Sequence, residues 1–135
     1  MNRFFNVKKI IPGQVKGEAL IVKERYSFQG FIDPKKGIFH APQSKLCGYS
    51  IKGAVLIFIS GKGSSAGAAA LDLTCRYGNS PGAVINFEIE PFMVAGCALN
   101  DIPMFQLEDL KIFDEVKIGD KIEINTKAEK IYILE

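Results

Sequence analysis

Tryptophan is absent from this 135-residue chain, histidine occurs once, and the three cysteines are odd in number with no C-x-x-C spacing. Each shortage removes a class of chemistry. A lone His40 without an aspartate or cysteine signature beside it argues against a Ser-His-Asp triad built from this chain alone, and it reads as a surface loop residue. Cys47, Cys75 and Cys97 are too scattered for a zinc knuckle or a disulfide framework, so they read as small buried hydrophobes and no metal site is expected. No apolar run approaches the roughly 20 residues that span a bilayer. The opening Met1-Asn2-Arg3-Phe4-Phe5-Asn6-Val7 lacks a signal-peptide core. A cytoplasmic protein without membrane contact is expected. Net charge is only +2, from 17 basic and 15 acidic residues, and no Lys/Arg cluster carries interleaved aromatics, which argues against nucleic acid.

What the chain does have is enough apolar residue, 47%, to fold as one domain over residues 1–135. Its organising stretch runs from Val55 to Leu71. Val55-Leu56-Ile57-Phe58-Ile59 reads as a buried strand, Gly61-Lys62-Gly63-Ser64-Ser65 as a turn, and the alanine-rich run that follows as a helix. Ser64 and Ser65 fall where an N-cap belongs, so one hydroxyl is expected to cap the helix while the other faces solvent or a cleft. The free N–H groups of a helix start favour negative charge there, which points to anion binding or an activated serine.

Around this stretch, Val7–Gly13 reads as an edge strand ending at Pro12, and Glu18–Lys23 as a buried strand. Tyr26–Pro34 is an aromatic segment closed by an Asp-Pro turn; its aromatics read as core plugs, with Ser27, Gln29 and Asp33 as the residues able to face a ligand. Residues 35–53 read as turns and a connecting loop with room for one short strand. In the central helix, Ala66, Ala69, Ala70, Leu73 and Tyr77 form an apolar stripe, Leu71 and Cys75 a second face, and Gly78 a cap. Gly82–Glu88 and Met93–Ala98 read as strands, so that strand, helix and strand suggest a βαβ unit. Pro103–Leu107 adds a short strand, Leu110–Val116 a helical turn, and Lys121–Asn125 with Lys130–Leu134 an alternating pair with one wet face.

The central turn is neither a Walker A loop, since Gly63 follows Lys62, nor a G-x-S-x-G elbow. Taken together, however, Gly17-Glu-Ala-Leu, Ser27-Phe-Gln-Gly-Phe-Ile-Asp-Pro34, Gly37, Gly48-Tyr-Ser-Ile-Lys-Gly53, Gly61-Lys-Gly-Ser-Ser65, Pro81-Gly-Ala-Val-Ile85, Gly96 and Ile102-Pro103 occur in an informative order. In that order they resemble the swivel domain, or small subunit, of the aconitase X type of dehydratases, across about two thirds of the chain.

The resemblance implies an α/β fold: a swivelling β/β/α domain with a mixed-sheet, barrel-like core and few helices. It implies a heterodimer with a large catalytic subunit that holds a [4Fe–4S] cluster, no cofactor being bound by this chain. It implies dehydration of a small hydroxy acid, 5-phosphomevalonate of the mevalonate pathway in one branch and cis-3-hydroxy-L-proline in another. By position, Ser64 is the implied proton acceptor and Ser65 its neighbour or cap. Lys62 and Gly63 would lie against the substrate, Lys62 being able to hold a carboxylate or phosphate. Ala66-Gly67-Ala68 stands where aconitases and isopropylmalate isomerases carry Arg-Glu-His, which argues against citrate. Phe31 stands where the family tends to have glycine, and Gln29 where an apolar residue is common. The other reading of the same turn is a non-catalytic domain that binds an anion.

Overall fold

The computed structural model describes residues 3–135. Its strands are β1 (Arg3–Ile11), β2 (Val15–Arg25), β3 (Ile32–Asp33), β4 (Ile38–Phe39), β5 (Val55–Ser60), β6 (Ala83–Asn86), β7 (Met104–Leu107), β8 (Lys121–Asn125) and β9 (Lys130–Leu134). Its helices are α1 (Ser65–Arg76), α2 (Pro91–Leu99) and α3 (Ile112–Glu115). Strands β1, β7, β6, β5, β2, β8 and β9 follow one another around a closed mixed barrel, completed by antiparallel pairing of β1 with β9. The β2, β5, β6 and β7 wall is parallel, whereas β1, β8 and β9 join it antiparallel.

The apolar patterns explain this division. In the parallel wall, Ala19, Ile21, Val55, Ile57, Ala83, Ile85 and Phe105 fill the barrel interior together with Val7, Ile122, Ile124, Ile131 and Ile133 from the antiparallel strands. The alternate residues Leu20, Val22, Leu56, Phe58, Val84 and Met104 face outward into a second core with Leu71 of α1 and with Met93 and Cys97 of α2. Strands covered on both sides read as continuous apolar runs. Strands β8 and β9 have helices on neither side, and their alternating burial gives one wet face, as the sequence pattern predicts. The aromatic segment is a plug, as read: Tyr26 and Phe28 are buried in the outer core, and Tyr26 Oη is 3.1 Å from Ser44 Oγ.

Three expectations need correction. Residues 93–98 are not a strand but the body of α2, capped by the Glu90 side chain with Pro91 in its first turn. Pro91 fits a first helical turn because its missing N–H would have no partner there. The parallel neighbour of β6 is therefore β7, which begins only at Met104. Second, β1 is no edge strand: it stops before Pro12, but it is paired on both sides. Third, the stripe of α1 that packs on the barrel is Gly67, Leu71 and Thr74. Leu73 and Tyr77, assigned to the core by spacing, are 45% and 53% exposed. The burial expected of the cysteines holds for Cys97, whereas Cys75 is half-buried and Cys47 exposed. His40 lies exposed beyond β4.

Candidate active site at the start of the first helix

Strand β5 delivers the chain to the carboxyl end of the parallel wall, where Gly61-Lys62-Gly63 turns it into α1. Two glycines make the turn possible for different reasons. Gly63 has φ +71°, a conformation costly for residues with a Cβ. Gly61 leaves room for a neighbour, since a Cβ there would lie 2.7 Å from Glu90 Oε1. That carboxylate is engaged, accepting from Met93 N–H at 3.1 Å and from Phe92 N–H at 2.5 Å. The start of α2 thus carries its own anion, and Glu90 ties it to the turn before α1.

Ser64 is the N-cap of α1: its backbone is extended, and Ala66 N–H donates to its Oγ at 3.1 Å. Ser65 is the first residue of the helix and is exposed. Of the two hydroxyls it is therefore Ser64, half-buried, that caps, and Ser65 that points outward. The cap bond matters chemically, because an N–H aimed at Oγ stabilises an alkoxide more than a hydroxyl, and the positive end of the helix acts in the same sense.

Lys62 lies on the exposed outer side of the turn with Nζ 6.0 Å from the ring centroid of Phe31. This contact brings the Tyr26–Pro34 segment to the site. Ser27 arrives with it, its Oγ so close to Gly67 that a Cβ there would be 3.0 Å away. Asp33 instead accepts from the backbone N–H groups of Lys35 and Lys36 and serves its own turn. Gln29 is exposed.

A cleft of about 600 Å³ opens beside the turn, lined by Ser60, Gly61, Lys62, Gly63 and Pro91 together with Arg25, Glu88, Ile89 and Glu90. Pro91 and the last four were not singled out from the sequence. Arg25 ends β2 opposite Ser60, and its Nη2 donates to both oxygens of Glu88 at 2.8 and 2.6 Å. The pair Glu90-Pro91 ahead of an apolar run was the available signal for a helix start at this cleft. Nothing local marks Arg25 and Glu88, 63 positions apart, as neighbours.

Among the described residues, no three of His, Cys, Asp and Glu gather to hold a metal ion. The cysteines sit on different elements, Cys97 buried in α2, Cys75 half-buried in α1 and Cys47 exposed in the loop before β5. Burial raises the Cys75 thiol and pushes that of Cys97 up to about 12.

Fold and turn define a class, a closed mixed barrel whose parallel wall presents a Gly-Lys-Gly-Ser-Ser turn at a helix start. The model of the aconitase X swivel domain matches residues 4–133, and the chain belongs to that family. The phosphomevalonate dehydratase small subunit of Archaeoglobus fulgidus is 35% identical over 131 residues, 97% of this chain and 98% of that protein. The protein of the same name from Methanosarcina acetivorans is 36% identical over 118 residues, 87% of this chain and 82% of its own length. The crystal structure of Thermococcus kodakaraensis aconitase X in its holo-form superposes with a TM-score of 0.86 at 30% identity, covering 98% of this chain and 99% of that one.

Proposed function

We propose that this chain is the small subunit of a hydro-lyase that dehydrates (R)-5-phosphomevalonate to an anhydromevalonate phosphate, with Ser64 as the proton acceptor. The observation that carries the reading is the position of Ser64, the half-buried capping serine directly after the Gly61–Gly63 turn that lines the cleft, in a chain about 35% identical to phosphomevalonate dehydratase small subunits. In the reaction, the carbon–hydrogen bond next to the carboxylate breaks and its proton passes to the Ser64 oxygen. The electron pair becomes the new double bond, and the hydroxyl leaves from the adjacent carbon, taking a proton from a donor on the large subunit to become water. A serine takes up this proton only as an alkoxide, and three features of this chain lower its cost: the Ala66 N–H on Oγ, the start of α1, and the Lys62 ammonium on the adjacent turn.

A substrate with a carboxylate and a phosphate suits the Lys62 ammonium and the start of α1, and Lys62, Gly63 and Ser65 are the residues proposed to meet it. The [4Fe–4S] cluster and the departure of the hydroxyl belong to the large subunit, and the heterodimer works in the cytoplasm. Reconstitution with the large subunit under anaerobic conditions tests the reading. Ser64→Asn is the informative substitution, because asparagine caps a helix as well as serine does and cannot accept this proton as an alkoxide. Turnover is expected to fall by about 10²–10⁴-fold or more, while Ser65→Ala stays active. Normal turnover in Ser64→Asn overturns the assignment. A higher kcat/KM on cis-3-hydroxy-L-proline than on the phosphorylated acid overturns the substrate and keeps the base.

A further inference from the structure

Helix α2, Pro-Phe-Met-Val-Ala-Gly-Cys-Ala-Leu, contains no charged residue and no hydrogen-bonding side chain apart from the Cys97 thiol. A helix apolar on every side is stable only when every side is covered. One side is: Met93, Gly96 and Cys97 are buried, and Gly96 lies so close to α1 that a Cβ would be 3.5 Å from Leu71 and 3.6 Å from Ala68. The other side is bare. Pro91, Phe92, Ala95, Ala98 and Leu99 are all exposed, Phe92 at 44% and Leu99 at 79%. On α1 the exposed Ala69, Leu73 and Tyr77, residues whose spacing reads as core, form a separate stripe: Ala68 faces α2, and Leu73 and Tyr77 point away from it beyond the Arg76–Asp72 ion pair. The remaining exposed large apolar side chains among the described residues lie away from α2, Phe4 and Ile10 at opposite ends of β1 and Tyr49 and Leu110 in loops, and Phe4 is partly covered by Tyr132 and Lys130. Contiguous apolar surface of this kind marks an interaction site, unlike single exposed apolar residues.

We propose that the outer face of α2, from Phe92 to Leu99, is the surface on which the large subunit docks. The inference rests on the proposed function in one respect, that a partner closes over the turn at Ser64. Continuity with the cleft identifies the occupant. Pro91 lines the cleft and opens the apolar face, so a chain that covers the Gly61–Ser65 turn meets Pro91 and Phe92 first. From there α2 runs about 13 Å further, at 1.5 Å per residue. A second copy seated on the same face would obstruct the cleft it borders. The relatives from Archaeoglobus fulgidus and Methanosarcina acetivorans are themselves named as small subunits. The partner is therefore expected to present a matching apolar strip beside its own half of the site.

The test is direct binding of the purified large subunit to the full chain by calorimetry, with Ala95→Glu and Leu99→Glu as the substitutions and Phe4→Glu, on the β1–β9 wall, as the control. Each altered position is exposed, so circular dichroism and Tm should match the unaltered chain. Ala95→Glu and Leu99→Glu are expected to weaken binding at least 30-fold, in the range of interface hot spots, and Phe4→Glu less than threefold. A complex that forms equally well with both glutamate variants overturns the docking surface and leaves the function standing. So does a self-associated chain that these variants turn monomeric without loss of large-subunit binding. A large subunit that does not bind the unaltered chain overturns the surface and the heterodimer together. Activity retained by Ser64→Asn in an intact complex overturns the base alone.

Discussion

At the residue scale, Ser64 has two functions on one oxygen. As N-cap it stabilises α1, and as the proposed base it must shed its proton, so the usual Ser64→Ala substitution mixes two losses. Ser64→Ala is expected to lower stability by about 1 kcal/mol in urea unfolding, the size of an N-cap, whereas Ser64→Asn stays within a few tenths of the unaltered chain. If the two variants are equally stable, the Ala66–Ser64 hydrogen bond contributes nothing to the fold. Gly61 supports the same turn from the other side. Gly61→Ala places a methyl group 2.7 Å from Glu90 Oε1 and 3.4 Å from Met93 Cε. The cap of α2 must then move, and a loss of about 1–2 kcal/mol is expected. An unchanged unfolding midpoint would mean that Glu90 leaves the turn freely.

At the scale of elements, α1 separates what spacing can assign from what packing assigns. Leu71 and Leu73 are two residues apart in the same alanine-rich run, yet Leu71 is fully buried against the barrel and α2 while Leu73 is 45% exposed. Leu71→Ala is expected to cost about 2–5 kcal/mol. Leu73→Ala in the isolated chain should stay within about 0.5 kcal/mol. Equal costs would contradict the rotation of α1 described here. Apolar residues cover most of its circumference, so periodicity finds the helix and not the side that faces in. The misassignment of 93–98 has a related cause: a short run without polar residues has no period, and only length and the Glu90-Pro91 start separate a buried strand from a covered helix.

At the scale of the whole molecule, the outer core surrounds groups whose ionisation reports on global stability. Burial pushes Tyr26 up to about 12 from 10.0 and Cys97 up to about 12 from 9.0. Below about pH 8 both groups are neutral in the folded and unfolded chain, so they impose no pH dependence there. As pH rises past that point the unfolded chain loses these protons, Cys97 first, and the folded chain keeps them, so stability falls from about pH 8 towards about 12. Urea midpoints measured from pH 8 upward should decline, and Cys97→Ala should remove the earliest part of the decline. A flat profile to pH 11 would mean that Cys97 and Tyr26 are open to solvent.

Much of the site was legible because its parts are adjacent in the chain. The five-residue turn, its capping serines and the strand before it are local, set by β-propensity, glycine freedom and the capping preference of serine. The alternation in β8 and β9, the helical turn near Ile112 and the family motifs from Gly17 to Pro103 are equally local. What the sequence determined by itself is therefore the set of elements that hold Ser64, and the family. The tertiary structure alone decided which groups share the cleft. Arg25 reaches Glu88 because β2 and β6 flank β5, and Phe31 reaches Lys62 because a loop folds back over α1. It also decided which faces of α1 and α2 stay bare. Barrel closure and helix rotation depend on the sum of packing over distant residues, and no local pattern contains that sum.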